Sequence, residues 1–128
     1  MQLDPIVGVT NVSASSDWYR SVLGCKELHG GDEFSVLAND DGVVILCLHK
    51  WGEHHHPTLT NPSDDPSNGL ILYFRTNNLD DVYHRAVESG HAPETEIELN
   101  ENSRRREFSI RDPDGYYATI SEYHEYQG

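Results

Sequence analysis

Two stretches of this chain repeat each other, and the repeat limits what the chain can fold into. Phe34-Ser35-Val36 runs on to Asp40-Asp41-Gly42, and Phe108-Ser109-Ile110 runs on to Asp112-Pro113-Asp114-Gly115. Upstream, Asn11-Val12 opens a helix-like stretch that closes at Gly24, and Asn78-Leu79 opens one that closes at Gly90. The offset is 67 residues between the two Asn, 73 between Gly42 and Gly115, and 74 between the two Phe. Copies of about 60 residues are marginal as independent folds, so the pair is expected to complete one fold. Equivalent positions can then be compared within a single chain.

The 128 residues are expected to make one domain, with a first module over 1–50, a connecting loop over 51–68 and a second module over 69–128. Met1-Gln2-Leu3-Asp4-Pro5 lacks the basic start and long apolar run of a signal peptide, and no stretch approaches the length of a membrane helix. The expected compartment is the cytoplasm. Cys25 and Cys47 have no second cysteine at metal-ligand spacing and read as reduced packing residues. A net charge of −13 argues against nucleic acid and anionic membranes as partners and is compatible with a cationic ligand. The one basic run, Arg104-Arg105-Arg106, sits among Glu98, Glu101 and Glu107, so local pairing explains it.

Periodicity places the elements. Asp4 to Val9 reads as a strand with Pro5 near its start. Ser13 reads as the N-cap of a helix whose Tyr19, Val22 and Leu23 form a buried stripe, and Gly24 stops it. Strands follow at Glu27–His29, Phe34–Ala38 and Val43–His49. Pro57, Pro62, Pro66 and Gly52 mark the loop. The second module repeats the order. Leu70–Arg75 is a strand, and Asn78 caps a helix with Asp80 and Asp81 in its first turn and Leu79, Val82, Ala86 and Val87 on its apolar face. Strands near Glu94–Leu99, Arg105–Arg111 and Tyr116–Tyr123 complete a second strand–helix–strand–strand–strand unit.

This βαβββ repeat resembles the vicinal oxygen chelate superfamily, which includes glyoxalase I, extradiol dioxygenases, fosfomycin-resistance enzymes and bleomycin-resistance proteins. The residues that carry the resemblance are Trp18-Tyr19-Arg20-Ser21-Val22-Leu23-Gly24 and Asp112-Pro113-Asp114-Gly115-Tyr116. The resemblance implies an α+β fold in which two βαβββ modules form curved half-sheets around a central cavity, helices outside, in a homodimer. In metal-dependent relatives, His and Glu side chains from the first strand and from the strand after the Asp-Gly turn of each module converge on a metal. Counted by motif, those positions here hold Asp4, Leu46, Leu70 and Thr119. One carboxylate, two leucines and a neutral hydroxyl do not make a metal site, so none is expected there and no cofactor with it.

The expected ligand-binding lining is apolar with a few polar groups: Asp4, Ile6, Leu46, Leu48, Leu70, Leu72, Tyr117, Thr119 and Ser121. By strand alternation Val44, Leu46 and Leu48 face the cavity with Ile45, Cys47 and His49 behind, and Phe74 joins Leu70 and Leu72. Such a wall suits a small organic ligand, and the net charge of −13 is compatible with a cationic one. The alternative is a metal-dependent lyase or dioxygenase with a shifted set, Asp4 with His54 and His56, around a divalent ion such as Fe, Mn, Ni or Zn. Because Glu53-His54-His55-His56 are adjacent in a Pro-rich loop, their side chains are expected to diverge and the tract to serve as a polar loop closing the cavity. No catalytic residue is identified.

Overall fold

In a computed structural model, which describes residues 1–126, the chain divides into two compact units, Met1–Pro66 and the residues from Ser67 onward. The first unit runs β1 (Ile6–Val9), α1 (Val12–Leu23), β2 (Lys26–His29), β3 (Phe34–Ala38) and β4 (Val44–Lys50). The second runs β5 (Leu72–Thr76), α2 (Leu79–Glu88), β6 (Glu98–Asn100), β7 (Arg105–Arg111) and β8 (Tyr117–Glu122). Each unit is thus one βαβββ module with a four-stranded mixed sheet, ordered β1-β4-β3-β2 and β5-β8-β7-β6. The first and last strands of each module pair in parallel, and the remaining pairs are antiparallel.

Local chemistry explains the helix boundaries. Asn11, not Ser13, caps α1: its backbone is extended and its side-chain oxygen accepts from the Ala14 N–H at 2.9 Å. Gly24 ends the helix in the left-handed region at φ 71°, its N–H donating to the Arg20 carbonyl. Asn78 occupies the N-cap of α2 without a side-chain capping bond, and Asp80 and Asp81 sit in the first turn, where the helix dipole favours them. Leu79, Val82 and Ala86 are buried as expected, whereas Val87 is exposed. Both sheets start later than the sequence reading: β1 begins after Asp4 and Pro5, and β5 begins after Leu70.

Strand register sorts the side chains of the first sheet. Leu48 stands opposite Val7 and Ser35, and Leu46 opposite Leu37. Ser35 on β3 and Ser16 on α1 both donate to one Glu27 oxygen, at 2.7 and 2.6 Å, so this is the face that α1 covers. Leu37, Leu46, Leu48, Tyr19 and Val22 are all fully buried, each contributing about 1.5–3 kcal/mol of apolar burial. The opposite face of the sheet carries Ile6, Gly8, Phe34, Val36, Cys47 and His49.

The second sheet follows the same rule. Ala118 stands opposite Leu72 and Ile110, and Ile120 opposite Phe74 and Phe108. The Tyr83 ring of α2 meets Phe108 edge-on at 5.1 Å, which identifies this as the helix-covered face. The helix-free face carries Tyr73, Arg75, Ser109, Tyr117, Thr119 and Ser121. Of the Arg104-Arg105-Arg106 run, Arg106 pairs with Asp80 and Glu122, partners distant in sequence and other than the glutamates expected. Both cysteines are free thiols. No helix among the described residues is long and apolar enough to cross a membrane.

Candidate functional site: the helix-free faces

The parallel pairing defines equivalent positions in the two modules. Ile6 and Tyr73 hold the same place ahead of Asn11 and Asn78, and they pair with Cys47 and Thr119 respectively. Cys47 is therefore the structural counterpart of Thr119, and Leu46 is not. The cause is an irregularity in the β3–β4 ladder, where Leu37 pairs with Leu46 but Ala38 pairs with Val44. This β-bulge adds one residue between the Asp-Gly turn and the rest of β4, and one extra residue turns every following side chain to the other face. The β7–β8 ladder has no such shift.

Five of the expected lining residues are repositioned by these facts. Leu46 and Leu48 lie under α1, with Cys47 and His49 on the open side, the reverse of the alternation expected. Leu72 lies in the α2-covered core, with Phe74 on the same face, and Tyr73 and Arg75 take the helix-free positions. Leu70 precedes β5 and its carbonyl accepts from Ser67 Oγ at 2.9 Å. Asp4 precedes β1, is exposed, and accepts from Gln2 Nε2 at 3.0 Å. Ile6, Tyr117, Thr119 and Ser121 fall on the helix-free faces as expected.

On the first helix-free face, Ile6 is 51% exposed and Cys47 only 4%. Burial raises the Cys47 thiol above its ordinary range, and the Asp4 carboxylate raises it further. The thiol is thus held protonated. Trp51 covers Gly8, where a Cβ would stand 2.6 Å from the indole ring. On the second face, Ser109 Oγ and Thr119 Oγ1 lie 2.9 Å apart, and the Ser109 N–H donates to Thr95 Oγ1. The Arg111 guanidinium lies over the Tyr117 ring at 5.0 Å. Arg75 lies within 5.1 Å of the Tyr123 ring and 4.9 Å of the Tyr126 ring.

The glyoxalase/bleomycin resistance protein/dioxygenase superfamily is the family whose model fits the chain, over residues 2–120. The chain belongs to this superfamily. Solved structures with the same fold include a protein of unknown function from Agrobacterium tumefaciens (21% identity, TM-score 0.77), covering 97% of this chain and 95% of that one. A second is TioX from Micromonospora sp. ML1, at 14% identity and TM-score 0.74, covering 96% of this chain and all of the other, 100%. A third is a bleomycin resistance determinant encoded on the transposon Tn5, at 19% identity and TM-score 0.65, covering 98% and 99% of the two chains. No curated protein sequence matches the chain.

Within the superfamily fold, the register corrects the donor set expected at the strand positions. Asp4 remains the first-module residue ahead of β1, Cys47 replaces Leu46, Ile71 replaces Leu70, and Thr119 stays. The set is then a carboxylate, a protonated thiol, a hydrocarbon and a hydroxyl already bonded to Ser109. Such donors do not fit a divalent cation that requires imidazole and carboxylate ligands. The shifted alternative set is also redrawn: His54 and His56 gather around His49 and Glu33, while Asp4 bonds Gln2.

Sequence reasoning misplaced His49. It was placed behind the cavity wall by the uncorrected alternation, yet it is buried on the helix-free face, edge-on to Phe34 at 5.9 Å. The signal that finds it is its pairing with Gly8 and Phe34, which no local pattern announces.

Proposed function

We propose that the chain works as one domain that binds a small, partly apolar organic molecule, a cationic one suiting its charge, on the helix-free face of a sheet, without a metal at the strand positions. The observation that supports this reading most is the composition of the register-equivalent positions. On the first sheet Ile6 and Cys47 present an aliphatic group and a protonated thiol, and on the second sheet Tyr73 and Thr119 present an aromatic ring and a hydroxyl. A lining of this kind binds by apolar contact and a few hydrogen bonds. Tyr117 and Ser121 extend it on β8. The net charge of −13 favours a cationic ligand through the field of the whole protein. Membership of a superfamily whose structural neighbours include a bleomycin resistance determinant supports a sequestering role.

The proposed assembly is a homodimer in the cytoplasm. Ile6, Ile71 and Tyr73 are exposed on or beside β1 and β5, the edge strands of their sheets, and such edges are commonly covered by a partner. Isothermal titration against cationic glycopeptides and aromatic metabolites tests the reading. Saturable binding weakened by Tyr73→Ala and Thr119→Val supports it, and no uptake of any compound leaves it without support.

A further inference from the structure

We propose that His49, His54 and His56, backed by Glu33, form a binding site for a late first-row divalent ion of the Zn, Co or Ni type. The site is distinct from the strand positions discussed above and does not depend on the organic ligand.

The three imidazoles come from two different segments. His49 is on β4, where it is 3% exposed, and His54 and His56 are on the loop that follows. That loop is bent so that both rings reach His49. His54 and His55 adopt positive φ values of 61° and 56°, an uncommon conformation for residues other than glycine. The His49 ring stands 5.2 Å from that of His54 and 4.8 Å from that of His56, centre to centre. With metal–nitrogen bonds of about 2.0–2.1 Å, two imidazole centres on one tetrahedral ion stand about 5 Å apart. Both pairs match. The third pair, His54 with His56, is wider at 6.4 Å. Among the described residues no three donors yet converge on one point. Loading the site therefore requires the exposed loop rings to turn their free nitrogens toward that of His49, a motion that surface loops accommodate.

The outer contacts are those that orient ligating histidines. His49 Nδ1 lies 2.8 Å from the Lys50 carbonyl, to which it donates, leaving Nε2 as the lone-pair nitrogen. His54 Nε2 lies 2.9 Å from a Glu33 carboxylate oxygen, leaving Nδ1 for the ion. A carboxylate behind an imidazole fixes the ring and raises its basicity. Three neutral imidazoles select late divalent ions over Mg or Ca, which prefer oxygen. A cleft of about 430 Å³, lined by His29, Asp32, Glu33, Phe34 and His54, gives access beside them.

The test uses the full chain without an affinity tag, stripped with a chelator and titrated with Co²⁺ and with Zn²⁺. The expected result is one ion per chain, with visible d–d bands of a nitrogen-rich tetrahedral Co²⁺ site. A His54→Ala/His56→Ala double variant, altered only at exposed positions, keeps the wild-type circular dichroism and loses affinity at least about tenfold. Glu33→Gln loses about tenfold, while His84→Ala, at an exposed histidine of α2, binds as the wild type does. No saturable binding by the wild type overturns the proposal. So does binding that survives the double variant, or binding abolished by His84→Ala.

Discussion

Ser109 Oγ and Thr119 Oγ1 form a buried hydrogen bond of 2.9 Å between adjacent strands, on the face of the second sheet that α2 leaves free. Thr119→Val keeps the shape and removes the hydroxyl, leaving Ser109 without this partner. The expected loss is about 1–2 kcal/mol in urea unfolding. Adding Ser109→Ala removes both polar groups and recovers part of it, and a double-mutant cycle with no coupling contradicts the pairing.

Glu27 accepts from Ser16 and Ser35, and these two hydroxyls hold its carboxyl below the ordinary value of 4.5. A depressed folded-state value contributes stability that is fully present above the unfolded value and fades as pH falls through the folded one. Below about pH 4.5 the wild type is therefore expected to lose an increment of stability that Glu27→Gln never has. Because Glu27 is exposed, solvent screening keeps the increment small, well under about 1 kcal/mol. Parallel pH profiles for the two proteins contradict the assignment.

Trp51 rests over Gly8, with no room for a methyl group between them. Gly8→Ala is expected to displace the indole, shift its fluorescence, and cost about 1–2 kcal/mol. Trp51→Ala in the same chain relieves the clash. If Gly8→Ala leaves both emission and stability unchanged, the contact is not made.

Neither thiol is set up as a nucleophile. Burial pushes Cys25 up to about 11, and burial together with the Asp4 charge raises Cys47. Both are expected to alkylate slowly at neutral pH. Asp4→Asn removes the neighbouring charge and speeds alkylation of Cys47 without changing Cys25, as followed by peptide mass. Equal rates in both proteins contradict the electrostatic link.

Much of the architecture was readable in the chain, and the misreadings share one physical cause. The helices were found because Asn11, Gly24, Asn78 and Gly90 are local signals, and the hairpins because Asp-Gly turns are. Side-chain facing is not local. Phe34 and Phe108 look equivalent in sequence, yet Phe34 pairs with His49 on the open face and Phe108 with Ile120 in the core. The bulge at Val44 arises from pairing between β3 and β4, and it sent Leu46 and Leu48 under the helix while turning Cys47 and His49 outward. In β8, which has no bulge, alternation counted from Gly115 placed Tyr117, Thr119 and Ser121 correctly. The approach of the His54 and His56 rings to His49 was not legible, because positive φ at two successive histidines bends the loop against any sequence rule.

The central claim is that a ligand meets the side chains of the helix-free faces. Two-dimensional NMR of the chain during titration with an aromatic cation tests it most directly. The account predicts shifts concentrated at Ile6, Cys47, Tyr73, Thr119 and Ser121, with Leu46, Leu48 and Leu72 little changed. Shifts confined to the helix-covered residues, or a spectrum that no compound alters, would contradict it.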